Sequence, residues 1–224
     1  MSTLADNFER VEARIVAACQ RSGRARADVE LVAVSKLHPA HAIEEAYAVG
    51  QRHFGENYAQ ELRDKHEALA HLRGVRWHAI GPLQPKNAKY VARAAHFFHA
   101  LERLDVAHEL SRRRTGDALD CFVEVKLSGE ATKAGIAPDD LGAFIASVKA
   151  LPNLNVVGLM GMPPADLEAN QARPYFARLA SLARAHGLSK LSMGMTGDFE
   201  VAIEEGATHL RVGTALFGPR SETA

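Results

Sequence analysis

Eight short apolar runs alternate along this chain with longer stretches of helical spacing, and that alternation restricts the fold more than any other feature. The runs lie near 31–35, 52–54, 75–80, 97–101, 121–126, 155–160, 190–193 and 208–212. Helical patterns occupy about 39–49, 57–72, 86–95, 103–115, 138–150, 170–186 and 198–205. A run such as Leu31-Val32-Ala33-Val34 is apolar on both faces, as a parallel strand must be when it is covered on both sides. Gly50, Gly187 and Gly206 stand where helices should stop. Pro138 with Asp139 and Asp140 suits a first helical turn, and Asp198 suits the start of the last full helix. The expected fold is α/β, a single (β/α)8 TIM barrel over residues 1–224. A doubly wound open sheet is the alternative, because periodicity does not report closure. Leu4, Phe8, Val11 and Ile15 mark an extra N-terminal helix that stops at Ser22-Gly23 and either closes one end of the barrel or packs on its side. No Pro/Ser/Gly-rich linker divides the chain, so one domain is expected.

Charge excludes some partners. Lys and Arg number 27 and so do Asp and Glu, which gives no reason to expect nucleic acid or an anionic membrane surface. No segment approaches the roughly 18–20 apolar residues that span a bilayer, and residues 1–21 lack the apolar core of a signal peptide. Cys19 and Cys121 are far apart, and one pair is a poor framework for a chain of this size; reduced thiols and a cytoplasmic location are expected. Cys121 opens an apolar run and reads as a small buried hydrophobe.

The chemistry should gather at strand ends. Lys36 ends the first apolar run, ahead of Pro39 and a helix. An amine beside a desolvated pocket can attack a carbonyl and form a Schiff base, whereas a strand-end lysine otherwise carries its amine out to water. After the second run comes Gly55-Glu56-Asn57-Tyr58, in which Asn57 offers both donors and an acceptor. After the seventh comes Ser192-Met193-Gly194-Met195-Thr196-Gly197-Asp198, and at the eighth Arg211-Val212-Gly213-Thr214. Each of these two combines hydroxyls with glycines near a helical start, the composition of a phosphate cradle. Arg211 lies within a strand and would need pairing if it faced inward, and alternation does not choose its face. His38/His41 and His96/His99 are i, i+3 pairs without a clear third ligand, so no metal site is expected.

The motifs together resemble the pyridoxal-phosphate homeostasis family, also described as alanine racemase N-terminal-like or proline-synthetase co-transcribed proteins. The matching segments are Ala33-Val34-Ser35-Lys36, Phe54-Gly55-Glu56-Asn57-Tyr58, Trp77-His78-Ala79-Ile80-Gly81-Pro82-Leu83-Gln84, Gly158-Leu159-Met160, Leu191-Ser192-Met193-Gly194-Met195 and residues 211–218. The resemblance implies a barrel that binds pyridoxal 5'-phosphate, with Lys36 as the Schiff-base residue. It implies that Ser192, Gly213 and Thr214 hold the phosphate with Gly194 close by, that Arg211 faces the pyridine nitrogen, and that Asn57 lines the ring pocket. Two departures stand out. Gln84-Pro85-Lys86-Asn87 exchanges the usual order of amide and amine, and Thr196-Gly197-Asp198 replaces a more usual Ser-x-Asp pattern. Lys133 matches a further family loop and is a second candidate contact for cofactor or an exposed lysine.

The implied function is intracellular vitamin B6 homeostasis or cofactor delivery to pyridoxal-phosphate-dependent apo-enzymes, with little or no turnover. Alanine racemases draw an acid/base from a second domain, and a chain closing at Ala224 leaves no room for one; a monomer is expected. The alternative is a small amino-acid racemase or another barrel-type enzyme of the same cofactor, with Tyr58 or His78 as its acid/base.

Overall fold

A strand that is apolar on both faces needs cover on both, and this sheet obtains it by closing on itself. The computed structural model describes residues 3–128 and 134–219. Eight parallel strands, β1 (Glu30–Val34), β2 (His53–Glu56), β3 (Arg76–Ala79), β4 (Phe97–Leu101), β5 (Leu119–Glu124), β6 (Leu154–Met160), β7 (Lys190–Ser192) and β8 (His209–Val212), form a closed barrel in sequence order. Closure is made by β1 against β8, with Glu30 opposite His209, Val32 opposite Arg211 and Ala33 opposite Val212. The TIM-barrel expectation holds, and the open sheet does not.

Helices cover the outside: α1 (Leu4–Arg21), α2 (Ala40–Ala48), α3 (Ala59–Ala68), α4 (Ala88–Ala94), α5 (Leu104–Arg113), α6 (Leu141–Lys149), α7 (Ala169–Ala185), α8 (Phe199–Glu204) and α9 (Thr214–Phe217). Between barrel and helices lies the main apolar layer, where Phe54, Phe98 and Cys121 from strands meet Ile43, Leu62, Leu110 and Phe176 from helices, all fully buried. Burial pushes the Cys121 thiol up, and both cysteines are free and inert inside the core.

The N-terminal helix packs on the side of the barrel, against α8 and α9. Thr3 caps it: its Oγ1 accepts from the Asp6 amide at 3.1 Å, and Asp6 accepts from the Thr3 amide at 2.8 Å. Arg14 grips Glu200 of α8 through two bonds of 2.7 and 2.9 Å, with its guanidinium over the Phe199 ring.

Two helices begin later than their spacing suggests. Pro85–Asn87 and Pro138–Asp140 are single 3-10 turns ahead of α4 and α6, because a proline without an N–H favours a tight entry turn. The short α9 has no counterpart in the sequence pattern.

The barrel interior is unusually polar. His78 stacks on Phe97 with centroids 4.4 Å apart, His99 lies 4.5 Å from the Phe122 ring, and His209 packs against both phenylalanines. Such barrels are more often filled by layers of branched aliphatic residues. Burial holds His78 and His99 well below the usual histidine range, and takes His209 down to about 3, so these rings are neutral.

Gly158 marks the closest approach in the sheet: a Cβ added there would lie 2.0 Å from the Lys190 carbonyl oxygen on β7. Gly158→Ala should therefore push β6 from β7 and lower stability by about 2–3 kcal/mol, an overpacking effect measurable by urea unfolding; a variant as stable as the parent would contradict this geometry.

Candidate functional site

The C-terminal strand ends surround a cavity of ≈ 310 Å³ lined by Val34, Lys36, His38, Asn57, Ile80, Met162, Met195, Thr196, Gly197, Arg211, Gly213 and Thr214. Five of the seven residues expected from the sequence, Lys36, Asn57, Arg211, Gly213 and Thr214, thus converge on one wall or another of this space.

Lys36 stands two residues beyond β1. Both of its chain neighbours are held from outside. The Ser35 carbonyl accepts from Lys65 Nζ at 2.7 Å, and the Ser35 hydroxyl donates to Glu56 Oε1 at 2.6 Å. The Leu37 amide donates to Glu61 Oε1 at 2.7 Å. Lys65 Nζ, on α3, also donates to Glu56 Oε1 and Glu61 Oε1, each at 2.8 Å, and so ties the two sides together. Leu37 adopts a φ of 63°, a left-handed conformation that a leucine holds only under local constraint. Burial raises the Glu56 carboxyl to about 7, with Lys65 and Ser35 opposing the shift, and its Oε2 is buried with no hydrogen-bond partner among the described residues.

Arg211 faces inward from β8 and is 6% exposed. Its Nη1 donates to Ser192 Oγ at 2.6 Å, while Nη2 is buried with no hydrogen-bond partner among the described residues. Burial lowers the guanidinium to about 10, with Glu124 and Asp198 opposing the shift, so it remains cationic at neutral pH.

The seventh-strand loop turns tightly because Asp198 Oδ1 accepts from the Met195 amide at 2.6 Å. The next two residues, Thr196 and Gly197, line the cavity, and their amides have no acceptor among the described residues. On the eighth strand, Gly213 precedes α9, whose first amides, those of Thr214 and Ala215, lack intrahelical acceptors by geometry. A Cβ at Gly213 would stand 3.2 Å from the Val34 carbonyl oxygen, so a larger residue would crowd β1.

Ser192, expected at the phosphate, and Gly194, expected close by, are not among the residues that line this cavity. Ser192 is fully buried behind the wall, its hydroxyl shared between Arg211 and His99 Nδ1, the latter at 2.7 Å. Gly194 carries a φ of 90° in the turn, where an added Cβ would meet the Ala202 Cβ at 2.6 Å; it is there to let α8 approach. The cavity-facing hydroxyl of this loop belongs instead to Thr196, four residues beyond Ser192. The hydroxyl-plus-glycine pattern of Thr196-Gly197 carried the same signal as Ser192.

Other candidates lie elsewhere. Tyr58 is 51% exposed at the start of α3, and His78 is inside the barrel; neither lines the cavity. His96, one residue before β4, accepts from the Trp77 amide at 3.1 Å, whereas His99, within β4, points to Ser192. Lys86 and Asn87 border a separate shallow hollow with Tyr58 and Gln60. Lys133 lies outside the described residues. A second, more apolar cavity of ≈ 440 Å³ adjoins the first and shares Met162, Met195 and Gly197 with it.

In chemical terms the first cavity offers an amine, a cationic donor with one nitrogen uncommitted, and two loops of hydroxyls and free amides. That set fits a small molecule with a carbonyl at one end, a phosphate at the other and a hydrogen-bond acceptor in between.

Comparison with known proteins agrees with this chemistry. A family model described as the alanine racemase N-terminal domain matches residues 7–221. A Pseudomonas aeruginosa protein named pyridoxal phosphate homeostasis protein is 47% identical over 224 residues, spanning 98% of this chain and 97% of that one. A protein of the same name from Escherichia coli strain K12 is 39% identical over 231 residues, spanning 98% of each. The structure of PipY from Synechococcus elongatus PCC7942 with PLP bound matches with a TM-score of 0.80 at 37% identity, covering 93% of this chain and 100% of that one. An alanine racemase from Corynebacterium glutamicum shares the fold at 16% identity and a TM-score of 0.66, covering 93% of this chain and 60% of that one.

The clamp around Lys36 carries a pH signature. Glu56 has a folded value of about 7 against 4.5 for the ordinary carboxyl, so the stability it contributes is full below 4.5 and is lost as pH rises through 7. Glu56→Gln keeps an acceptor for Ser35 and Lys65 and should flatten that loss in urea unfolding across this window. Lys65→Met, which strands the carboxylates, should destabilise by about 3 kcal/mol at pH 8. An unchanged pH profile in the glutamine variant would refute the assignment.

Proposed function

The chain belongs to the alanine racemase N-terminal domain family, and on that premise we propose that it binds pyridoxal 5'-phosphate in the ≈ 310 Å³ cavity and serves vitamin B6 homeostasis, holding the cofactor and handing it on to apo-enzymes with little or no turnover. The observation that carries the reading is the buried Nη2 of Arg211, which has no hydrogen-bond partner among the described residues, in a cavity that a strand-end lysine also lines. A nitrogen left without an acceptor in a dry site costs about 1–3 kcal/mol, and a pyridine nitrogen is an acceptor that relieves it.

The roles follow from placement. Lys36 is the residue to which the cofactor's aldehyde attaches, and the Ser35–Lys65–Glu61 clamp sets where its side chain begins. Thr196, Gly197, Gly213 and Thr214 hold the phosphate, whose roughly two negative charges suit free amides and hydroxyls. The phosphate role expected of Ser192 passes to Thr196, and Ser192 acts through Arg211. Asn57 lines the ring pocket.

Bound pyridoxal phosphate supplies an electron sink for amino-acid chemistry, which is strong only when its ring nitrogen is protonated. Arg211 works against that state: it is a donor without a lone pair, and its charge disfavours a second cation beside it. A racemase also needs a proton donor on each face of its substrate, and neither Tyr58 nor His78 borders the cavity. Both facts support retention over turnover.

The protein as isolated should be yellow, and borohydride should fix the chromophore to Lys36, as read by mass spectrometry. Lys36→Ala should lose the band while retaining some cofactor through the phosphate; an unchanged band would refute the attachment site. Incubation with L-alanine in deuterated water should show no rapid Cα exchange, and fast exchange dependent on Lys36 would establish the racemase instead.

Thr196→Ala and Thr214→Ala should each weaken cofactor retention by about 1–3 kcal/mol, the range for hydrogen bonds to a charged group. Equilibrium titration showing no loss in either would remove the cradle.

A further inference from the structure

Five polar contacts run end to end through the barrel interior, from the guanidinium at the cavity to a carboxylate at the opposite rim. Arg211 Nη1 donates to Ser192 Oγ at 2.6 Å, and Ser192 Oγ lies 2.7 Å from His99 Nδ1. His99 Nε2 lies 2.9 Å from His78 Nδ1, and His78 Nε2 lies 2.9 Å from His53 Nδ1. His53 Nε2 ends the chain on Glu30 Oε2 at 2.7 Å. Glu30 is the first residue of β1, at the N-terminal end of the barrel, and its side chain is 44% exposed.

The order of protons along this chain follows from one hydroxyl. Ser192 is fully buried, and its oxygen already accepts from Arg211. Its single proton has one acceptor within reach among the described residues, His99 Nδ1. His99 must then carry its hydrogen on Nε2 and donate to His78, which donates from Nε2 to His53, which donates from Nε2 to Glu30. All bonds therefore point away from Arg211 and toward the carboxylate, and each polarises the next. Desolvation keeps His78 and His99 neutral, as one donor and one acceptor each requires. His209 stands beside the chain, its Nδ1 engaged by Thr208 Oγ1 at 2.9 Å, and does not interrupt it.

We propose that this chain is a positioning relay: Glu30, acting through His53, His78 and His99, fixes the direction of the Ser192 hydroxyl and thereby holds Arg211 with Nη1 engaged and Nη2 presented to the ligand. Without the far carboxylate the three imidazoles lose their common direction. Ser192 then no longer needs to receive from Arg211 alone, and the guanidinium is free to turn. The ligand half of the proposal rests on the cofactor reading above; the proton order does not.

The test uses the whole protein as isolated. Long-range ¹H–¹⁵N NMR should show hydrogen on Nε2 of His53, His78 and His99, with His78 and His99 neutral. Glu30→Met, a change at the exposed end, should mix the tautomers of His78 and His99 and raise the dissociation constant for pyridoxal phosphate about three- to tenfold. Glu30→Gln, whose amide oxygen still accepts from His53, should keep the proton order and bind close to the parent. Hydrogen on Nδ1 of His99 in the parent protein would overturn the relay, and so would a methionine variant with unchanged His99 shifts. Mixed tautomers with unchanged affinity would overturn its link to Arg211. A parent protein that shows the Nε2 order but binds no pyridoxal phosphate would sink the cofactor reading, and the ligand half with it.

Discussion

A permanent cation inside a closed barrel is the constraint around which the rest of this molecule is arranged. Arg211 does not shed its proton, and among the described residues no carboxylate forms an ion pair with it; Glu124 and Asp198 act on it through space. Among the described residues its one side-chain hydrogen-bond partner is the neutral hydroxyl of Ser192, itself tied to the neutral imidazoles of His99 and His78. A barrel packed with aliphatic layers would leave that charge uncompensated. Polarity in the interior is thus a requirement of the charge, and the aromatic faces of Phe97 and Phe122 fill the space between the imidazoles.

The second organising device is the buried Lys65 cluster. It fixes the backbone on both sides of Lys36 without touching the cavity, because β1, β2 and the start of α3 meet at one corner of the barrel. Glu56 Oε1 accepts from both Ser35 and Lys65, while its Oε2 is buried without a hydrogen-bond partner among the described residues. The cavity is therefore backed by two hydrogen-bonded clusters that do not line it, one below Arg211 and one behind Lys36. Hydrogen-bonded support behind the lining residues is a common way to keep ligand groups in register.

Much of the site was legible as sequence because strand ends announce themselves. Lys36, Asn57, Gly213 and Thr214 each follow an apolar run and precede a helix, and in a parallel barrel such positions share one rim. In sequence Ser192 suits a phosphate contact, a hydroxyl beside glycines. What that pattern does not carry is depth: Ser192 is still within β7, facing inward, whereas Thr196 lies on the turn beyond it. The histidine column was equally opaque. His53, His78 and His99 are separated by more than twenty residues each, so no local spacing joins them; their contact arises from neighbouring strands in register.

By itself, then, the order of residues determined the alternation of strands and helices, the rim on which chemistry gathers and the residue types found there, because those depend on periodicity and on short-range turn chemistry. Tertiary structure alone decided that the sheet closes, that Arg211 points inward, and that a serine supports the guanidinium while a threonine borders the cavity. Those outcomes depend on pairing between β1 and β8 and on burial, which are set by contacts between residues distant along the chain.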